Sequence, residues 1–210
     1  MVIDPAVIKP AIESYNRIAL SASYHVSYHL PALYGMDSIW QFQENISGII
    51  VMGSAASVHD GHKWQDDITD LLLESFDKSI PVMGICYGHQ LLAHICGGRV
   101  GPLWNGKKEQ GQRKVSVMEN SLWGKARNGQ MIYSHQDGVT QCPDDFEITA
   151  VSDMVSVEGF VSKTKPIWGF QTHIEATQAF IDNHNIPIAN HQKTFAFGHQ
   201  ILDSFILSLA

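Results

Sequence analysis

One stretch of sequence decides the fold: Ile80-Pro81-Val82-Met83-Gly84-Ile85-Cys86-Tyr87-Gly88-His89-Gln90-Leu91-Leu92-Ala93. A short apolar run stops at Cys86, and a helix-forming segment follows at once. Gly84 and Gly88 lie two residues before and after the cysteine, where a side chain would crowd the backbone as a strand turns into a helix. The pattern G-x-C-x-G therefore predicts a strand, a sharp turn and a helix, with the thiol at the turn.

Cys86 has two interpretations at this point. It is either a nucleophile or a small buried hydrophobe, which is what most lone cysteines on apolar strands are. A thiol at the carboxyl end of a strand lies under the first turn of the next helix, whose free N–H groups favour the thiolate. The bracketing glycines favour the nucleophile, because a strained turn is rarely built around an inert residue.

Length and composition favour a single α/β domain. The chain has 210 residues, of which 44% are hydrophobic and 17% charged, enough for one sizeable core and short for two. We therefore expect one domain over residues 1–210. The formal charge of −7 argues against binding to nucleic acid or to an anionic membrane surface. A small-molecule or protein partner is expected instead.

The cysteines and the amino terminus indicate a reducing compartment. Cys86, Cys96 and Cys142 are an odd number of thiols, the residues after Met1 do not form a signal peptide, and no apolar run has the length of a membrane span. We expect three unpaired cysteines and a cytoplasmic location.

The spacing of apolar residues along the rest of the chain predicts alternating strands and helices. Residues 46–52 form a continuous apolar run, which is typical of a strand buried on both faces. A polar insert is expected over 183–194, before a last helix with Phe197, Ile201, Phe205 and Leu209 on one face. The other predicted strands are 2–3, 24–30, 80–85, 114–118, 131–133, 146–151, 155–161 and 167–172. The other predicted helices are 6–19, 63–77 and the segment that follows the sharp turn at Cys86, the nucleophile elbow, up to residue 97.

Two pairs of histidines raise the question of a metal site. His25 and His29 lack a carboxylate or cysteine in register, so we interpret them as histidines on a strand surface. His59 and His62 flank Asp60-Gly61, and a solvated loop before a helix is the favoured interpretation. We expect no metal and no other cofactor.

The strand that ends at residue 172 supplies a second cluster of polar residues. A thiolate that attacks an amide needs a base, a group that orients the base, and donors for the oxyanion. His173 is a candidate base and Glu175 a candidate orienting group. The oxyanion donors would be the N–H of Tyr87 and an N–H from the small-residue loop at Gly53 and Ser54. That loop is not a phosphate loop, because the lysine of such a motif is missing.

The two motifs together resemble one known family. Gly84-Ile85-Cys86-Tyr87-Gly88-His89-Gln90, followed by Gly169-Phe170-Gln171-Thr172-His173-Ile174-Glu175, is similar to the class I (triad-type) glutamine amidotransferases, most of all to the amidotransferase domain of GMP synthase and its free-standing relatives. The resemblance covers about residues 49–180. It implies a flavodoxin-like α/β fold, with a mainly parallel open sheet, helices on both faces and the elbow at the carboxyl ends of the strands.

The resemblance also implies roles for particular residues. It makes Cys86, His173 and Glu175 a catalytic triad. It implies that the substrate is bound by the Gly53-Ser54 loop, by Gln90 and by the backbone at Ser134 and His135, and that Glu109 belongs to the glutamine pocket. Two departures bear on the substrate: the family's Gly-Gly-Pro loop is Gly53-Ser54-Ala55 here, and its His-Pro-Glu is His173-Ile174-Glu175.

The predicted reaction is hydrolysis of a γ-glutamyl amide through a thioester on Cys86, with release of ammonia and glutamate. The chain ends at Ala210 with no synthetase domain, so ammonia would pass to a separate synthetase subunit. Alternatively, the protein is a stand-alone γ-glutamyl hydrolase or peptidase. Two further alternatives are a cysteine peptidase or aldehyde-handling enzyme of a related elbow-bearing fold, and a non-catalytic binding subunit.

Overall fold

The computed structural model describes residues 1–188 and 191–210, with the backbone alone for 191–194. Residues 189 and 190 of the predicted polar insert therefore lie outside the described residues. The strands are β1 Val2–Ile3, β2 Tyr28–His29, β3 Ile49–Val51, β4 Val82–Ile85, β5 Arg99–Pro102, β6 Glu109–Val117, β7 Arg127–His135, β8 Asp137–Gln141, β9 Phe146–Val151, β10 Gly159–Ser162 and β11 Ile167–Phe170. The helices are α1 Ile12–Ser21, α2 Pro31–Tyr34, α3 Asp37–Trp40, α4 Lys63–Asp77, α5 Tyr87–Ile95, α6 Gln178–His184 and α7 His191–Ser208.

One large sheet runs through the described part of the chain, in the order β2-β1-β3-β4-β11-β10-β9-β6-β7. The first five strands in this order, β2, β1, β3, β4 and β11, are parallel. The remaining four, β10, β9, β6 and β7, extend the sheet with antiparallel pairs. β5 and β8 form a separate antiparallel pair. Because β3, β4 and β11 are parallel neighbours, their carboxyl ends meet at one edge of the sheet.

Helices cover both faces of the parallel strands, as predicted. Successive residues of β3 alternate between two hydrophobic clusters: Ile49 and Val51 pack with α4 and α5, and Ile50 packs with α1 and α7. A parallel strand covered on both faces has no solvent side, which accounts for the unbroken apolar run in its sequence.

The first predicted helix begins later than the sequence indicates. We predicted a helix over 6–19, but α1 begins at Ile12. The buried carboxylate of Asp4 accepts hydrogen bonds from the backbone N–H groups of Ala6 at 3.0 Å and Ala11 at 2.8 Å. Pro10 also disfavours helical geometry at the preceding residue. This segment is therefore a loop wrapped around Asp4.

The predicted strand over 24–30 is also shorter, because only Tyr28–His29 is a strand. The interpretation of both histidines as strand-surface residues is wrong. His25 is exposed but lies outside the strand, and His29 is buried. The ring of His29 makes hydrogen bonds of 2.9 Å with the hydroxyl groups of Ser27 and Ser38, so two serines replace the water that a surface histidine would bind.

Other bounds agree or shift by a few residues. The helix 63–77 and the strand 146–151 are found as predicted. The strand predicted over 155–161 is Gly159–Ser162, because Ser152 Oγ accepts from the N–H groups of Met154 and Val155 and forms a turn there. α7 begins at His191, inside the predicted insert. Among the described residues, none of the helices has both the length and the apolar character that crossing a membrane requires.

His89 is a histidine buried without solvent contact between α5 and the sheet. Its ring stacks on Phe160 with 4.3 Å between centroids. Burial disfavours the imidazolium and lowers the pKa of His89 from 6.5 to about 3. The folded protein therefore binds this proton less readily than the unfolded chain does, and His89 is neutral in the folded protein at neutral pH.

We expect this histidine to make the protein sensitive to acid. Between pH 6.5 and about 3, the unfolded chain binds the proton and the folded chain does not, so the free energy of unfolding falls as the pH falls. A single such group adds at most about 1.4 kcal/mol per pH unit to the slope. Urea unfolding of wild type and His89→Gln at a series of pH values tests this. The difference between their free energies of unfolding should narrow as the pH falls. A difference that stays the same at every pH would contradict the expectation.

Candidate active site

Cys86 lies at a strained turn between β4 and α5, which confirms the predicted strand, turn and helix. Its backbone has φ 51° and ψ −99°, in a region that a non-glycine residue rarely adopts. The glycines on either side are required by packing. A Cβ atom on Gly84 would lie 2.5 Å from the backbone of Gly88, and one on Gly88 would lie 2.2 Å from the carbonyl oxygen of Val51.

His173 and Glu175 meet Cys86 at the carboxyl ends of β4 and β11. His173 Nδ1 lies 2.9 Å from Glu175 Oε1, and Cys86 is close enough to the imidazole to raise its pKa. Because Nδ1 is engaged with the carboxylate, Nε2 is the nitrogen left for the sulfur. Only 4% of Cys86, 7% of His173 and 1% of Glu175 is exposed, so the chain of three groups is shielded from water.

The charges of the three groups determine where the proton lies. Burial by itself lowers the pKa of His173, but the adjacent Cys86 and Glu175 outweigh burial and raise this pKa to about 10. A protonated imidazole next to a cysteine favours the thiolate. The arrangement is therefore suited to a thiolate–imidazolium pair with the carboxylate behind it.

The Gly53 loop comes very close to the same three side chains. A Cβ atom on Gly53 would lie 2.7 Å from His173 Cε1 and 3.6 Å from Cys86 Cβ, so only glycine leaves space for the imidazole. The hydroxyl of Ser54 donates to the carbonyl of Pro5 at 2.6 Å and accepts from the N–H of Ala56 at 3.1 Å. Ser54 can therefore face a ligand through its backbone alone.

Tyr87 is the other predicted oxyanion donor. It is the first residue of α5, so its N–H has no acceptor within the helix. The phenol of Tyr87 is turned into the protein, where Gln65 Nε2 donates to it at 3.0 Å. The phenol of Tyr87 is thus held in the protein interior, while its backbone N–H is left without an acceptor in the helix.

The residues predicted to bind substrate are buried to different depths. Gln90 Nε2 donates to the carbonyl of Asp137 at 2.7 Å, and His135 is buried with its ring directed inward. The hydroxyl of Ser134 is buried and has no hydrogen-bond partner among the described residues. Glu109 pairs with His135 in the β6–β7 ladder and is exposed. The structure thus places Gln90 and His135 inside, and Glu109 at the solvent side.

Three buried polar residues near the site escaped the sequence analysis: Gln171, Arg113 and Glu158. Arg113 Nη2 donates to Glu158 Oε2 at 2.6 Å and to His135 Nε2 at 3.0 Å. The alternation of β6 carries a signal for Arg113, because it falls on the same face as the buried Val115 and Val117. No group of three or more metal-ligating side chains occurs within residues 1–188 and 191–210 as described.

Comparison with known proteins then places the chain. A family model for glutamine amidotransferase class-I matches residues 12–188. The chain belongs to the class I glutamine amidotransferase family. The match spans α1 through α6 and includes Cys86, His173 and Glu175.

Curated relatives in this family are longer proteins. The chain is 38% identical over 135 residues to a GMP synthase (glutamine-hydrolyzing) of Ligilactobacillus salivarius, covering 62% of this chain and 25% of that protein. It is 32% identical over 168 residues to the corresponding enzyme of Borreliella burgdorferi, covering 79% of this chain and 28% of that protein. The chain thus spans about a quarter of the length of these amidotransferase relatives.

Solved structures show the same fold. A glutamine amidotransferase from Methylobacillus flagellatus superposes with a TM-score of 0.76 at 17% identity, covering 99% of this chain and 92% of that one. One from Thermotoga maritima gives 0.73 at 18% identity, covering 100% and 97%. At such identities the likeness establishes the fold, a largely parallel α/β sheet of the flavodoxin-like type.

Proposed function

We propose that this amidotransferase hydrolyses the γ-amide of glutamine, or of a related γ-glutamyl compound, through a thioester on Cys86. The observation that carries the proposal is the grouping of Cys86, His173 and Glu175, in which His173 is hydrogen-bonded to Glu175 and lies beside Cys86. It lies on a strained elbow at the carboxyl ends of parallel strands, where open α/β sheets bind ligands.

The reaction follows from the positions of these groups. The thiolate of Cys86 attacks the amide carbon, and the N–H of Tyr87 with an N–H of the Gly53-Ser54 loop stabilises the oxyanion. The imidazolium of His173 donates its proton to the departing nitrogen, and ammonia leaves. Water, deprotonated by His173, then attacks the thioester, releases glutamate and restores the thiolate–imidazolium pair. Glu175 stabilises the imidazolium throughout.

We assign substrate contacts from the predicted residues. Both N–H groups of Gln90 are engaged, with Asp137 and with Gln171, so Gln90 would meet the substrate through its amide oxygen. Ser134 has a buried hydroxyl and His135 an inward-directed ring, which leaves their backbone to face the ligand. The exposed carboxylate of Glu109 would attract the α-ammonium group of the amino acid.

The destination of the ammonia is part of the proposal. We propose that residues 1–210 form a single amidotransferase domain. The similar proteins are glutamine-hydrolyzing GMP synthases, and we propose that a separate synthetase receives the ammonia that this domain releases. All three cysteines are unpaired, which fits a cytoplasmic location. The alternative, hydrolysis of free γ-glutamyl compounds, is favoured by Ser54 and Ala55, which change the wall of the oxyanion loop.

A substrate panel tests the proposal and separates its two forms. Glutamate release should be measured from glutamine and from a series of γ-glutamyl amines, together with covalent labelling by a chloroketone analogue of glutamine. We expect turnover of at least one member of the panel and stoichiometric labelling of Cys86. Burial raises the pKa of Cys96 and of Cys142 to about 11, so these thiols should remain unlabelled. The absence of both glutamate release and selective labelling of Cys86 would contradict the proposal.

A further inference from the structure

Gln171 lies beside Cys86 as a consequence of strand register. In the parallel β4–β11 ladder, Phe170 pairs with Ile85, so the next residue of each strand leaves the sheet edge side by side. The N–H of Gln171 donates to the carbonyl of Glu158 at 2.7 Å and fixes its backbone. Its side chain, fully buried, places Nε2 in a hydrogen bond 3.7 Å from Cys86 Sγ.

Gln90 fixes which end of the Gln171 amide faces the sulfur. Gln90 Nε2 donates to Gln171 Oε1 at 3.2 Å, so Oε1 of Gln171 is the acceptor in that contact. Its other terminal atom, Nε2, is then the donor that faces Cys86. Gln90 cannot reverse its own amide without losing the hydrogen bond to the carbonyl of Asp137.

The chain of hydrogen bonds continues and closes on itself. The carbonyl of Asp137 also accepts from His135 Nδ1 at 2.8 Å. His135 Nε2 therefore accepts the hydrogen bond from Arg113, and Arg113 pairs with Glu158, whose carbonyl accepts from the N–H of Gln171. Every side chain in this ring is buried, so the position of the Gln171 amide is set from both sides.

We propose that Gln171 is a further functional residue of this site, whose side-chain N–H donates to the Cys86 thiolate and stabilises it in addition to His173. Gln90 is the positioning residue that orients the Gln171 amide. The inference deepens the proposed function and rests on it. A hydrogen bond to a charged acceptor is about twice as strong as one between neutral groups, and this one favours the ionised sulfur over the thiol.

The test is the pH dependence with which iodoacetamide alkylates Cys86, measured by mass spectrometry of the Cys86 peptide. In Gln171→Met, a side chain of similar length without a donor, we expect the midpoint of the profile to rise by about one pH unit, which is about a tenfold slower reaction below the midpoint. In Gln171→Glu, a carboxylate faces the sulfur, and the midpoint should rise further.

Gln65 supplies a matched control. It is also a buried glutamine, with hydrogen bonds from Nε2 to the carbonyl of Ser57 and to the phenol of Tyr87, but within the described part of the chain its side chain makes no hydrogen bond to the Cys86 sulfur. Gln65→Met should lose stability and keep the wild-type midpoint. An unchanged midpoint in Gln171→Met and Gln171→Glu, or an equal shift in Gln65→Met, would overturn the inference. Alkylation needs no turnover, so a failure of glutamine hydrolysis would defeat the proposed function separately.

Discussion

Replacement of Cys86 by serine is expected to lower kcat/KM for glutamine hydrolysis by about 10⁴-fold or more. The change exchanges one sulfur for one oxygen on the same strained backbone, at φ 51°. A serine hydroxyl does not ionise near neutral pH, so the charge that raises the pKa of His173 is removed. The imidazole then keeps Glu175 as its anionic partner but loses the thiolate, and the attacking group is an alcohol in a site arranged for a thiolate.

The measurement is ammonia and glutamate release from the best substrate of the panel, with thermal unfolding to confirm the fold. Cys96→Ser is the control, because Cys96 is a partly buried thiol that packs against the hydrophobic cluster under α5 and burial raises its pKa to about 11. We expect Cys96→Ser to keep wild-type turnover. Activity of Cys86→Ser within tenfold of wild type would mean that Cys86 is not the nucleophile.

The elbow and its surroundings were predictable because their chemistry is local. Gly84 is required by a contact with Gly88 inside one strand–turn–helix unit, and although Gly88 also packs against Val51 of β3, the sequence of that unit carries the whole pattern. The helix Lys63–Asp77 was predictable for the same reason, since its apolar face recurs at helical spacing. In both cases the residues that decide the structure lie within one or two turns of each other.

Features that depend on distant partners were not predictable. Asp4 holds the loop before α1 in place by accepting hydrogen bonds from two of its backbone N–H groups. A pattern of apolar residues does not indicate that an aspartate is buried. Arg113 and Glu158 lie 45 residues apart in sequence, so neither indicates the other. The relation between Gln171 and Cys86 follows only from the register of β4 against β11. These are contacts that tertiary structure creates.

The buried pair of Arg113 and Glu158 leads to the second large prediction, a loss of stability. The side chains are 4% and 0% exposed, so removing one partner leaves the other charge without compensation in a medium that solvates it poorly. We expect Arg113→Met and Glu158→Met each to lower the free energy of unfolding by about 3–5 kcal/mol. Urea unfolding at pH 7 measures this as a lower midpoint at an unchanged slope.

The double variant Arg113→Met with Glu158→Met separates the pair from its surroundings. It removes both charges, so no unpaired ion remains, and its loss of stability should be smaller than the sum of the two single losses by about 1–3 kcal/mol. The loss will not vanish, because Ser152 Oγ donates to Glu158 and His135 Nε2 accepts from Arg113, and both lose a partner. Lys63→Met, which breaks an exposed ion pair with Asp67 on α4, should leave the urea midpoint unchanged. Additive losses in the double variant would mean that the two charges do not stabilise each other and that the buried ring is maintained by its neutral hydrogen bonds alone.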